Sequence, residues 1–343
     1  MDAFIAFPEA TRRALCEQAG QLLGLEAASI EKDFWVCWTL RELFALSDLG
    51  PHLTFKGGTS LSKGWKLIER FSEDIDVVID RAYLGFGGDL SPENAPSNKQ
   101  RDQRLEDLKG ACQRTIEGVL APAFEQRVRG KVTASNWRLQ GDPGDPDKQT
   151  LLFSYPAAIA SGSYLRPVVK IELGARSDTD PSTMPTIQPY LAEALPDVIE
   201  AVAFQVRTVA PERTFWEKAS LLHEEGYRGE GKVPPARLAR HYYDLWCLIG
   251  AGVADRALAD ESLFDRVVAH RKVFFRKSRA AQESLRPGRL RLLPGAEHLA
   301  AWERDYAAMR ESMFFREAPP FSEILRVIGE FERRFNAETS SAS

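Results

Sequence analysis

The sequence of 343 residues predicts an α+β fold, a mixed β-sheet with flanking helices followed by an all-helical region. Three observations predict it. Period-two apolar runs, the mark of strands with one face in a core, cluster before residue 176. Apolar residues at helical spacing precede those runs, and from about Pro211 onward helical patterns stand alone. No internal repeat is present. We therefore expect a sheet domain over residues 1–208, a helical domain over 209–335, and a disordered polar tail, NAETSSAS, at 336–343.

Composition narrows the class of function. With 44% hydrophobic and 27% charged residues, the chain reads as an ordinary globular protein, not a disordered or fibrous one. A net charge of -4 argues against wholesale wrapping of nucleic acid, although a local basic surface fits within such a total. Cys16, Cys37, Cys112 and Cys247 are scattered without the close spacing of zinc ligands or a disulfide framework. The N-terminal stretch is broken by Pro8, Glu9 and Arg12, and no run of about 18 apolar residues occurs. The expectation is a cytoplasmic protein without a membrane span.

The elements follow in order. Glu9 to Gly20 reads as a first helix. Ser29 to Leu46 reads as a second, with Ser29 as cap and Phe34, Val36, Cys37, Leu40, Leu43 and Phe44 on the apolar face. Next comes FKGGTSLSKGWKLIERFSEDIDVVID, residues 55–80: the end of a strand, a glycine pair with hydroxyls behind it, a short helix, and a strand carrying carboxylates. GFGGDLSPENAPSN reads as a loop and Lys99 to Arg127 as a long, charge-decorated helix. Strand-like runs occupy 131–139, 150–155 and 167–175, with the turn-rich GDPGDPDK between the first two. PERTFWEKASLLHEEGY, PPARLARHYYDLWCLIG and further amphipathic segments to Phe335 are helical.

In the strand at 74–80, Ile75, Val77 and Ile79 share one face while Asp74, Asp76 and Asp80 share the other. Asp74 and Asp76 are about 7 Å apart at Cα, within reach of one hard divalent cation; a solvated strand edge is the plainer alternative. Upstream, Gly57, Gly58, Thr59 and Ser60 turn a strand into a helix whose first amides and hydroxyls suit a phosphate, or simply cap the helix. The turn is not a Walker A loop, since Lys63-Gly64 runs in the reverse order, and no G-x-G-x-x-G is present. A phosphate anchor beside a metal site is what nucleotidyl transfer needs. Glu172, on the polar face of a strand whose other face is Val169, Ile171 and Leu173, is the candidate third carboxylate.

On these motifs the chain resembles the AbiEii/AbiGii toxin family of nucleotidyltransferases, within the DNA polymerase β-like superfamily. FKGGTSL followed by RFSEDID is the most specific block; IEKDFWVCWTLREL, PVVKIELGAR and RTFWEKASLLH with RHYYDLW extend the likeness over roughly residues 28–250. The resemblance implies that Gly58 and Ser60 anchor nucleotide phosphate; Gly57, Thr59, Lys218 and Arg240 stand beside them as candidate nucleotide-binding residues. It implies that Asp74 and Asp76, with Glu172, hold Mg2+ or Mn2+, and that Lys218 and Asp244 of the helical domain complete the active site. Read without the family, Lys218 is a surface lysine, Arg240 and Asp244 an i,i+4 ion pair, Tyr242, Tyr243 and Trp246 core, and His223 and His241 packing residues.

Residues 266–291 hold nine Lys and Arg against Glu283 alone. A solvated helix face is one reading; a surface for RNA phosphates, with Arg271, Lys272, Arg276 and Lys277 in contact, is the other. The expected function is the toxin of a toxin–antitoxin pair that transfers NMP from an NTP to an acceptor, tRNA above all, with an antitoxin as partner. Two alternatives stay open: a non-catalytic antitoxin- or nucleic-acid-binding protein on the same scaffold, and an antibiotic-modifying nucleotidyltransferase.

Overall fold

The computed structural model describes residues 1–159, 166–199, 202–229, 232–275, 279–310, 313–314 and 317–337. The chain separates into two compact units, the first made of Met1–Trp65 and Ser72–Val209, the second of Lys66–Phe71 and the chain from Ala210 onward.

Among its described residues the first unit is built on nine short strands: β1 (Leu53–Lys56), β2 (Ile75–Ile79), β3 (Arg138–Gly141), β4 (Thr150–Ser154), β5 (Val168–Gly174), β6 (Ser182–Thr183), β7 (Thr186–Ile187), β8 (Phe204–Gln205) and β9 (Thr208–Val209). Seven form one mixed sheet in the order β3-β4-β5-β2-β1-β9-β6, and β7 and β8 pair separately. At the centre β2 runs antiparallel to β1 and parallel to β5, so the two strands that carry the candidate acids are neighbours in register. Ile75, Val77, Ile79, Val169, Ile171, Leu173 and Phe153 bury one face of these strands. Helices cover that face: α1 (Asp2–Ala6), α2 (Glu9–Leu23) and α3 (Ala27–Phe44) precede the sheet, and Asn98–Thr115, Ile116–Leu120 and Ala121–Lys131 follow β2. Trp35 and Trp38 of α3 each lie 6.0 Å from the Phe153 ring, and Phe124 stands edge-on to it at 5.6 Å.

Three local expectations are corrected. α3 begins at Ala27, so Ser29 lies inside the first turn and caps nothing; Glu26 in extended backbone precedes the helix without a side-chain cap. The expected strand at 131–139 shrinks to Arg138–Gly141, because Arg127 and Lys131 both pair with the buried Glu42 and hold the helix to its last turn. The expected tail loses its first two residues to the final helix, Phe321–Ala337, where the Asn336 amide bonds the backbone N–H and C=O of Leu290; residues 338–343 lie outside the described residues.

The second unit is helical among its described residues apart from short extended stretches. Phe215 and Trp216 of the Pro211–Glu225 helix meet Phe264, Phe331 and Phe335 at ring separations of 4.7–6.1 Å. On Arg240–Gly250, Tyr242 packs edge-on against Trp302 at 5.0 Å and donates its hydroxyl to the Leu292 carbonyl, while Tyr243 packs against Phe314 at 4.6 Å. Both tyrosines are core. No helix among the described residues is long and apolar enough to cross a membrane.

Candidate active site

The polar face of the sheet carries a row of side chains set by register alone. Lys56 of β1 stands opposite Asp76 of β2, Asp76 opposite Glu172 of β5, and Glu172 opposite Thr150 of β4. Burial and the neighbouring Glu172 carboxylate push Asp76 up to about 7, with Asp74 adding to the shift and Lys56 opposing it. Asp76 and Glu172 share a hydrogen bond, and Glu172 also ion-pairs with Lys170 two residues back on the same face. Asp74 precedes β2 by one residue and acts on both Asp76 and Lys170 through its charge.

Gly57 is where this row meets the turn. Its φ of +81° is left-handed, and a Cβ there would run into the Asp76 carboxylate, so glycine is required twice over. The chain then makes one helical turn, Gly57–Thr59, continued over Ser60–Gly64. Ser60 is fully buried and donates its hydroxyl to the Gly57 carbonyl at 2.8 Å. Thr59 donates to the Asp74 carbonyl and pairs with the Ser72 hydroxyl 2.8 Å away. In this structure the two hydroxyls expected to meet a phosphate brace the turn and the approach to β2.

The three carboxylates expected to hold a metal, Asp74, Asp76 and Glu172, lie on or directly beside the neighbouring strands β2 and β5. Among the described residues no three His, Cys, Asp or Glu side chains converge closely enough to hold a metal ion. What the structure brings together is the pair Asp76 and Glu172. Their donor chemistry still fits a hard divalent cation, which prefers carboxylate oxygens and would offset the like charge that raises the Asp76 pKa.

The second unit holds a cluster of opposite character. Asp244 is fully buried, and Arg70 grips it with two bonds, Nε to Oδ1 at 2.7 Å and Nη2 to Oδ2 at 2.8 Å. Lys218 Nζ lies 2.8 Å from Oδ2 and 3.4 Å from His241 Nδ1. Burial alone would raise the Asp244 pKa, yet Arg70 and Lys218 outweigh it and hold the carboxylate well below its usual range. Burial, with Arg70 and Arg240 beside it, lowers Lys218; burial, Lys218 and Arg240 keep His241 neutral. Lys218 is therefore no surface lysine. Arg240 bears on this cluster by its charge, while both Asp244 oxygens are taken by Arg70 and Lys218, so the simple i,i+4 pair is not the arrangement formed. His223 has both ring nitrogens engaged, Nδ1 accepting from the Arg291 N–H and Nε2 donating to the Ala281 carbonyl, as a packing residue should.

Sequence reasoning missed Lys56 and Arg70. Lys56 had a signal, its place just before Gly57 on a strand antiparallel to β2. Arg70 had none, because it lies in the irregular stretch between the glycine turn and β2 and meets Asp244 across 174 positions of sequence. In the basic segment, Arg271 is buried in an ion pair with Glu224 at 2.6 Å, so its expected role in phosphate contact is corrected; Lys272 is exposed, and Arg276 and Lys277 lie outside the described residues.

No curated protein matches the chain. Among solved structures, MenT4, a nucleotidyltransferase toxin from Mycobacterium tuberculosis H37Rv, aligns over 100% of this chain and 97% of its own, with 18% identity and a TM-score of 0.39. A family model described as nucleotidyl transferase AbiEii toxin, type IV toxin–antitoxin system, matches residues 38–327. That match takes in most of the chain, including the carboxylate row and the Asp244 cluster, and the protein belongs to the AbiEii family of nucleotidyltransferase toxins.

Proposed function

We propose that the protein transfers a nucleoside monophosphate from a nucleoside triphosphate to an RNA hydroxyl, tRNA being the expected acceptor, with a divalent cation, Mg2+ or Mn2+, at the carboxylate row. The single observation that carries this reading is the register that lines up Lys56, Asp76 and Glu172 beside Gly57, with burial and like charge raising the Asp76 pKa. A cation held by Asp76, Glu172 and Asp74 would stabilise charge on the attacking and leaving oxygens. The chain's own part is positional. The Gly57–Gly58 backbone receives the triphosphate. Lys56 offsets the negative charge that Asp76 and Glu172 crowd together. The acceptor hydroxyl attacks the α-phosphorus, the bond to the bridging oxygen breaks, and pyrophosphate leaves. Lys218 and Asp244, with Arg240, are proposed to serve the same reaction.

The RNA acceptor is supported by the basic segment, where Arg266, Lys272, Arg286, Arg289 and Arg291 are exposed. Incubation with each α-labelled triphosphate, Mg2+ and total cell RNA tests the proposal. Label in RNA with at least one triphosphate is expected. Label on protein or small molecules alone would overturn the acceptor, and no label at all would overturn the transfer.

A further inference from the structure

Three consecutive charged residues, Glu31, Lys32 and Asp33, lie in α3 where every residue from Ile30 to Leu40 is buried; they are 2%, 4% and 5% exposed. Consecutive helical side chains point about 100° apart, so the triplet reaches three separate segments. Glu31 accepts from the N–H groups of Ala158, at 2.7 Å, and Ile159, at 3.1 Å. Lys32 donates to the Arg166 carbonyl at 3.1 Å and ion-pairs with Glu73. Asp33 pairs with Lys63 at 2.8 Å and accepts from the Tyr190 N–H at 2.6 Å.

Two of these segments adjoin the carboxylate row in sequence, those of Lys63 and Glu73, while the others tie α3 to the flanks of the sheet. Lys63 ends the helical turn that Gly57 begins, Glu73 immediately precedes Asp74, Ala158 follows β4, and Arg166 precedes β5. Stability does not explain the triplet, since apolar residues of similar volume commonly serve a core as well as paired charges or better. What buried ion pairs add is a fixed geometry for the groups they hold.

We infer that Lys32 and Asp33 are positioning residues for the transfer reaction, Lys32 by fixing Glu73 beside Asp74 and Asp33 by fixing Lys63 at the end of the glycine turn. This rests on the reading of the carboxylate row as the transfer site. Between the β1 turn and β2 the chain has no regular structure, so Asp74 is placed by what grips its neighbours. Thr59 grips the Asp74 backbone from one side and Lys32 grips Glu73 from the other.

The test compares Lys32→Met, Lys32→Arg and Glu73→Gln by amide hydrogen exchange at residues 72–75 and by transfer kinetics with the labelled triphosphate and total cell RNA. Glu73 is partly exposed, so Glu73→Gln keeps the core and decides the matter even if Lys32→Met fails to fold. In both Lys32→Met and Glu73→Gln, exchange at 72–75 should quicken about tenfold. The kcat should fall about a hundredfold, with the triphosphate KM unchanged. Lys32→Arg should restore both. Wild-type exchange and kcat in Glu73→Gln would overturn the inference, as would a loss that Lys32→Arg fails to rescue. Asp76→Asn, run alongside, separates the two readings: full transfer in that variant would sink the carboxylate row while leaving the exchange result to judge the Lys32 anchor.

Discussion

Asp76 and Asp244 are the same residue type under opposite electrostatics. Asp76 faces Glu172 with Asp74 behind it, and burial and like charge push it up to about 7. Asp244 is fully buried, which should raise it further still, yet two cations within 2.8 Å hold it ionised. Burial alone therefore decides neither case; the sign of the neighbours does. The first unit keeps an unmet demand for positive charge. The second has met its demand and carries one cation more than Asp244 needs, Lys218, whose pKa burial lowers.

The comparison breaks most visibly at Asp244. Asp244→Ala leaves Arg70 and Lys218 buried without a counter-charge and should cost about 3–5 kcal/mol, measured by chemical denaturation. Its pH dependence follows from the lowered pKa: the contribution of Asp244 is complete above about pH 4, the unfolded value, and is lost as pH falls further. An Asp244→Ala protein as stable as wild type would mean that the cluster is not the buried ion triad described.

Lys218→Met sharpens the contrast by removing the surplus cation while leaving Arg70 on Asp244. Stability should fall by less than in Asp244→Ala, by under about 3 kcal/mol, because Arg70 still pairs with the buried Asp244. Affinity for a non-hydrolysable triphosphate, followed by calorimetry, should fall by about 1.5–3 kcal/mol if Lys218 serves the nucleotide.

Asp76→Asn should act in the opposite sense from Asp244→Ala. In metal-free buffer at pH 7 it relieves carboxylate repulsion and should stabilise the protein by about 1–2 kcal/mol. Because the folded pKa of Asp76 is raised, wild-type stability falls as pH rises from about 4 toward 7, and the variant should lack that slope. A fold weakened by Asp76→Asn would contradict the crowding.

The smallest effect belongs to His223, a buried group with no ionic partner. Burial lowers its pKa, so the unfolded chain takes up its proton first as pH drops below about 6.5 and stability declines there. Denaturation midpoints at pH 7 and pH 5.5 in wild type and His223→Gln check it, the variant losing less.

What the sequence made legible was local or periodic. The alternation of Ile75, Val77 and Ile79 with acids gave β2 its two faces, and the same alternation in β5 placed Glu172 on the matching side. Gly57 was legible as a turn, though its second role, clearing space for Asp76, needs the paired strand. Side-chain partners distant in sequence were not legible. The bond of the Ser60 hydroxyl to the Gly57 carbonyl, the burial of Arg271 against Glu224 and the grip of Arg70 on Asp244 all escape periodicity. Nor does helical periodicity show that Glu31, Lys32 and Asp33 are buried, because a charged triplet normally marks a solvated turn. The beginnings and ends of elements shifted where a tertiary bond overrode local preference, as Glu42 did for Arg127 and Lys131.

Nucleotidyl transfer at the Asp76–Glu172 row is tested most directly by the rate at which wild type and Asp76→Asn incorporate α-labelled nucleotide into total cell RNA, at matched folded protein and saturating Mg2+. Wild type should label the RNA and Asp76→Asn should not, while denaturation shows the variant at least as stable. Labelling by folded Asp76→Asn at the wild-type rate would contradict the assignment of this row to the chemistry.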